Sequence, residues 1–220
     1  MKATFVARVM QIMNEIGWND SDSDAFVGSD TTKAEKHIES VFMDVWRKAV
    51  NLFPKTYFTI RDFSSNELIS DSGKGVGFVV LPEDFYTLVS FQMKGWQKAS
   101  EVLFESSDSI ASVQANEYTR GNFCRPICVK GIREIERERG DLRYYEQVKV
   151  LEYYSLPKGA KHEVLKAFYI PEIGALTEDT IIGDKLFIPL AYLAASQVFY
   201  IYEKSDIAKS LEERVLEIIK

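Results

Sequence analysis

The sequence predicts an α+β fold, with N- and C-terminal helices packed as a bundle and a β-rich insertion in the middle. Three observations carry this. Apolar residues recur at helical spacing near both ends of the chain. From about 57 to 171 the runs are short, rich in Val, Ile, Tyr and Phe, and punctuated by Gly, Pro, Asn and Asp. The 220 residues are 46% hydrophobic, enough to bury a substantial core. The expected division is therefore 1–56 with 172–220 as the helical part, and 57–171 as the insertion.

The first helix is set by Phe5, Val9, Ile12, Met13 and Ile16, with Gly17 as its stop. An acidic, turn-rich stretch follows over 19–32. The second helix spans about 33–53 on the stripe Ile38, Val41, Phe42, Val45, Trp46, Ala49 and Leu52. Thr31 or Thr32 is placed to cap its start, and Pro54 ends it.

In the middle, Val76–Leu81 reads as a buried strand. Pro82, Glu83 and Asp84 suit the first turn of a short helix, and 87–94 alternates with strand period. Further strands are expected near 101–105, 125–132, 133–139, 142–154 and 163–170. Helix returns at about 184, or as late as Ile188 because of Pro189. Ser205 reads as the N-cap of a last helix, 206–219, with Ile207, Leu211, Val215 and Ile218 on one face.

The net charge of −6 argues against tight binding of a phosphate backbone, which needs clustered Lys and Arg. Cys124 and Cys128 would lie about 13 Å apart on one face of a strand, beyond disulfide reach, so they read as reduced thiols. No apolar run approaches the length of a membrane span.

The motifs that could carry chemistry fall short. Asp20, Asp22 and Asp24 begin like a calcium loop, but Ala25 stands where Gly is needed and Thr31 where Glu is needed. The GKGVG at 73–77 lacks the spacing and the following Lys-Ser/Thr of a phosphate loop. His37 and His162 have no spaced metal-ligand set. No cofactor or metal is expected, nor a catalytic set. Tyr144, Tyr145, Tyr153, Tyr154, Phe168, Tyr169, Phe199, Tyr200 and Tyr202 sit at strand or helix spacing among mixed charges, which favours packing over base stacking. Phe26 and Val27 are apolar residues inside the acidic loop, placed to order against a partner.

The stretch 131–148, GIREIERERGDLRYYEQV, carries charges of both signs on both faces. As a helix it would be a surface rod broken by Gly140. As a hairpin turning at Gly140-Asp141, it sets Glu138 opposite Arg143. Such an arm protrudes, and is either solvated or docked on a charged neighbour. Arg133, Arg137, Glu138, Arg139 and Arg143 are the candidates for that contact.

Four segments, LPEDFYTLVSFQMKGW, QANEYTRGNFCRPICV, LEYYSLP and IIGDKLFIPLAYLAASQVFYIYEKSDIAKSLEERVLEI, together with the helix–strand–helix layout, resemble a family. It is the head–tail connector or adaptor proteins of short-tailed bacteriophages, the tail tubular A-like ring proteins, above all those of crAss-like phages. The resemblance implies a structural virion protein with no catalytic residues. It implies a homo-oligomeric ring of about twelve copies, made in the host cytoplasm and placed in the virion neck. Its partners would be the portal and other tail ring or nozzle proteins, with double-stranded DNA passing through unbound and no membrane contact. The C-terminal segment would reach the portal, which makes Ile207, Leu211, Arg214, Val215 and Ile218 the portal-facing candidates. The other reading is a module that binds a peptide or small ligand in the β-rich middle.

Overall fold

The computed structural model describes residues 1–15, 29–71, 74–139, 142–157 and 159–219. Helices lie at both termini and strands in the centre, the α+β arrangement expected. Two compact units result: Met1–Thr59 with Ile173–Lys220, and Ile60–Glu172. The sequence placed the joints at 56/57 and 171/172.

The helical unit contains α1 (Lys2–Glu15), α2 (Ser29–Leu52), α4 (Asp184–Ile201) and α5 (Ser205–Ile218). Helix α4 is buried on nearly every side, through Leu186, Leu190, Leu193, Val198, Phe199 and the small Ala191, Ala194 and Ala195. A helix apolar all round belongs at the centre of its unit, and α1, α2 and α5 each pack against it. The Phe5 ring meets Phe42 edge-on at 5.5 Å and Phe187 at 5.7 Å. Glu212 on α5 ties three helices together. Its Oε1 accepts from Lys48 Nζ at 2.5 Å, from Ser196 Oγ at 3.2 Å and from Gln197 Nε2 at 3.4 Å.

Two helix starts differ from expectation and a third takes the earlier of its two options. Helix α2 starts at Ser29, so Thr31 and Thr32 lie inside it and not at its cap. Helix α4 starts at Asp184, the earlier of its two expected starts, and takes Pro189 into its second turn, where the missing N–H removes one hydrogen bond. Ser205 is the first helical residue of α5, not its cap. Lys204 occupies that position and supplies no capping side-chain bond. Ile16, Gly17, the Asp20–Asp24 run, Phe26, Val27 and the Gly140-Asp141 turn lie outside the described residues.

In the second unit, β1 (Arg61–Asp62), β8 (Val164–Pro171) and β4 (Phe85–Met93) form one antiparallel sheet in the order β1-β8-β4. The other sheet runs β2-β3-β7-β6-β5, with β2 Leu68–Asp71, β3 Val76–Val80, β5 Leu103–Glu105, β6 Cys128–Arg139 and β7 Leu142–Tyr153. Strand β5 is parallel to β6, and every other pairing is antiparallel. Both sheets contribute to one core containing Phe63, Leu88, Phe91, Leu151, Tyr153 and Tyr169. Trp96 closes on Phe91 at 5.7 Å.

Residues 82–84 are a turn, not a short helix. The N–H of Phe85 donates to the carbonyl of Pro82 at 3.1 Å, and Phe85 already pairs with Pro171. The strands expected separately at 125–132 and 133–139 are one, because β7 pairs with β6 without a break from Cys128 to Arg139. The short β1 and β2, and the six-residue α3 (Ser109–Gln114), were not expected. Gly75 has φ +66°, and a Cβ there would sit 2.1 Å from the Leu156 carbonyl oxygen. The Gly-rich stretch therefore serves a tight backbone approach.

Candidate functional site

The β6–β7 ribbon outruns its sheet. Strand β3 pairs with β7 only from Val150 to Tyr153, and β5 pairs with β6 only from Cys128 to Lys130. Farther out, among the described residues, β6 and β7 pair only with each other, ending at Arg139 opposite Leu142. Side chains alternate between faces along each strand. One face presents Ile132, Glu134, Glu136 and Glu138 beside Arg143, Tyr145, Gln147 and Lys149, and all eight are exposed. Ile132 is 67% and Tyr145 71% accessible.

The opposite face is held down, which corrects the expectation of an arm free on both sides. Ile135 is buried. Arg137 donates through NH1 to Glu67 at 2.6 Å and through Nε to Glu146 at 3.0 Å, clasping the chain before β2. Both carboxylates hold its guanidinium charged, raising its pKa further.

Nearer the sheet, Arg133 Nε donates to Glu152 Oε1 at 2.7 Å, and the Tyr154 hydroxyl donates to the other oxygen. The Glu152 side chain is only 10% accessible. Donors meet both of its oxygens, which satisfies a buried polar group. Burial, then the carboxylate, push the Tyr154 phenol up to about 12. Gly131 makes room, since a Cβ there would lie 2.6 Å from Glu152 Oε1. Arg143 pairs with Glu138 at 3.2 Å and with Glu136 at 3.5 Å. Arg133, Arg137, Glu138 and Arg143 thus all have partners within the chain, while the side chain of Arg139 lies outside the described residues. What the exposed face leaves for a neighbour is apolar, Ile132 and Tyr145, framed by charge. Tyr145 is among the aromatics that the sequence assigns to packing, whereas Ile132 is not singled out, although it interrupts the Arg/Glu alternation as Ile135 does.

On α5 the five candidates separate. Leu211 and Val215 are each only 1% accessible, and with Ala208 they face the helical core. They are unavailable to a partner, which corrects their assignment. The helical period shows which residues share a stripe but not which stripe the chain buries itself. Ile207 is half-buried, and Arg214 and Ile218 are exposed. The Arg214 guanidinium stands 5.4 Å from the Tyr192 ring centroid. Leu216, one position off the predicted stripe, is 46% accessible.

The remaining reactive groups do not converge. His37 meets the Tyr202 ring edge-on at 5.5 Å, whereas His162 lies beside Tyr153. Cys124 and Cys128 are both free thiols. Among the described residues no group of His, Cys, Asp and Glu could hold a metal ion. No described helix is long and apolar enough to cross a membrane. A cleft of about 270 Å³ opens beside Arg133, Glu152 and Tyr154, walled by Ile69, Val76 and Phe78. No family model matches this chain, and no curated protein matches it. The ribbon's exposed face is the feature with the clearest capacity to bind.

Proposed function

We propose that this protein is a structural component of a phage neck, a head–tail adaptor that assembles into a ring through contacts between copies and joins the portal to the tail around the DNA passage. The observation that carries the reading is the β6–β7 ribbon, with one face wholly exposed and both outer edges unpaired among the described residues. A two-stranded ribbon is marginal in water alone, and an open edge or face gains by pairing with another chain. A closed ring needs two different complementary patches on each copy. The ribbon face with Ile132 and Tyr145 is one candidate, and α5 offers the portal two exposed flanks, Arg214 with Ile218 on one side of its buried stripe and Leu216 on the other. A net charge of −6 per copy suits a passage that does not retain DNA.

Single-particle imaging of the purified protein, alone and mixed with portal, tests this. Rings of about twelve copies seated on the portal are the expected result. A chain that stays monomeric and ignores the portal defeats it. The cleft beside Glu152 supports a second reading, a small-ligand module, although about 270 Å³ is just below the ordinary range for ligand pockets. A specific thermal shift without ring formation would favour that reading.

A further inference from the structure

Helix α1 carries two apolar stripes. Phe5, Val9, Ile12 and Met13 are buried in the helical unit. A second set, Ala3, Val6, Ala7 and Met10, falls at i, i+3, i+4 and i+7 and floors an open groove of about 890 Å³ beside α2. Ala3 and Ala7 are exposed, Met10 is half-buried, and Val6, shared with the first stripe, is buried. The alanines let another backbone come close, and the flexible Met10 thioether adapts to what lies on it. The rim is acidic, with Glu15, Glu35, Glu39 and Glu178 against Lys2 and the Met1 ammonium, which pairs with Glu178 at 3.0 Å. Lys2 is engaged by Glu39 at 2.8 Å, and among the described residues Glu15 accepts from the neutral amide of Gln11 at 2.8 Å.

We propose that this groove binds an amphipathic helix of a partner protein, with one apolar stripe flanked by Lys or Arg. From Ala3 to Glu15 the floor and rim run about 18 Å, the length of a helix of three to four turns. Helical spacing on the floor suits a helix laid into the groove, with anchors at matching intervals. Charge selects the occupant. The segment 16–28, which continues directly from α1, carries Asp20, Asp22 and Asp24 and no Lys or Arg, so it would bring acid onto acid. A basic helix brings the complementary sign. The inference rests on the helical unit and is independent of the ring reading.

The test uses the full chain and a fluorescein-labelled amphipathic helix of Leu and Lys, about 18 residues long, with a Leu/Glu helix of the same pattern as control. Fluorescence anisotropy should show saturable binding of the Leu/Lys probe, at least about tenfold tighter than the control and weakened by salt. Ala7→Arg combined with Met10→Lys, and separately Glu35→Lys, should each weaken it by about tenfold or more, with circular dichroism and Tm confirming an intact fold. Absence of saturable binding overturns the proposal. So does equal affinity for the two probes, or for the wild type and the Glu35→Lys chain. Tighter probe binding in a Phe26→Ser, Val27→Ser chain would mean that segment 16–28 fills the groove, and would overturn it too.

Discussion

The phenol oxygen of Tyr153 lies 2.6 Å from Nδ1 of His162. Tyr153 is fully buried, and burial raises its pKa, so the phenol keeps its proton. In the Nε2–H tautomer the imidazole accepts that proton at Nδ1, and the loop carrying His162 is tied to the core of the β-rich unit. Burial lowers the His162 pKa below 6.5, with Asp71 opposing. The folded state therefore takes up this proton at lower pH than the unfolded chain, and stability falls as pH drops below about 6.5 toward the depressed folded value. Glu163, whose pKa is lowered by Lys94 and then Lys161, loses its contribution further down, below its ordinary 4.5.

Wild-type Tm should thus decline from pH 7 to pH 5, and His162→Gln, which keeps a polar partner for Tyr153 but does not titrate, should flatten that decline. An identical slope in the two proteins would show that His162 is not the group responsible.

Cys128 and Cys124 should differ in reactivity. Burial pushes the Cys128 thiol up to about 12, with a Ser100 hydrogen bond pulling the other way, while Cys124 is only half-buried. The thiolate is the reacting species. In the native protein at pH 8, Ellman's reagent should therefore label Cys124 quickly and Cys128 only after denaturation. Cys124→Ser should abolish the fast phase. A fast phase that survives this substitution would place Cys128 in reach of solvent.

These groups show what the sequence made legible. The stripes of α1, α2 and α4 were readable because each helix has a wide apolar face that only one period explains. The ribbon strands were readable from their alternation. Strand β2 was not, because LISD is a short, half-exposed edge that owes its form to β3. The candidate site was half legible. Glu138 opposite Arg143 followed from the two-residue gap, but Arg137 reaching Glu67, seventy positions away, is a tertiary fact that no local pattern announces. The burial of Leu211 is of the same kind.

The turn from α4 to α5 holds a correctable strain. Lys204 N–H donates to the Phe199 carbonyl at 3.0 Å and Glu203 N–H to the Tyr200 carbonyl at 3.1 Å, with Glu203 at φ +61°. This is the Schellman arrangement, in which Gly is the favoured residue at the left-handed position. Glu203→Gly should relieve the Cβ strain, less the entropy of a freer unfolded chain, for a net gain of roughly 0.5–1 kcal/mol. The urea midpoint should rise at constant m-value. A lower midpoint would mean that the Glu203 side chain contributes more than its backbone costs.

Two leucines on α5 separate folding from assembly. Leu211 is buried against the helical core, and Leu211→Ala should cost about 2–5 kcal/mol through lost burial and the cavity left behind. Leu211→Asp should prevent the isolated chain from folding, because an unpaired carboxylate would be buried. Leu216 is 46% accessible, so Leu216→Asp should leave Tm within a degree or two of wild type while weakening portal capture if α5 is the portal-facing helix. Thermal unfolding and co-sedimentation with portal, run on both variants, read the two effects separately. A Leu216→Asp chain that binds portal as well as wild type removes the Leu216 flank of α5 from the joint. A Leu211→Asp chain that folds normally but fails to bind would instead restore the buried stripe as the contact, and would require α5 to leave its place on α4.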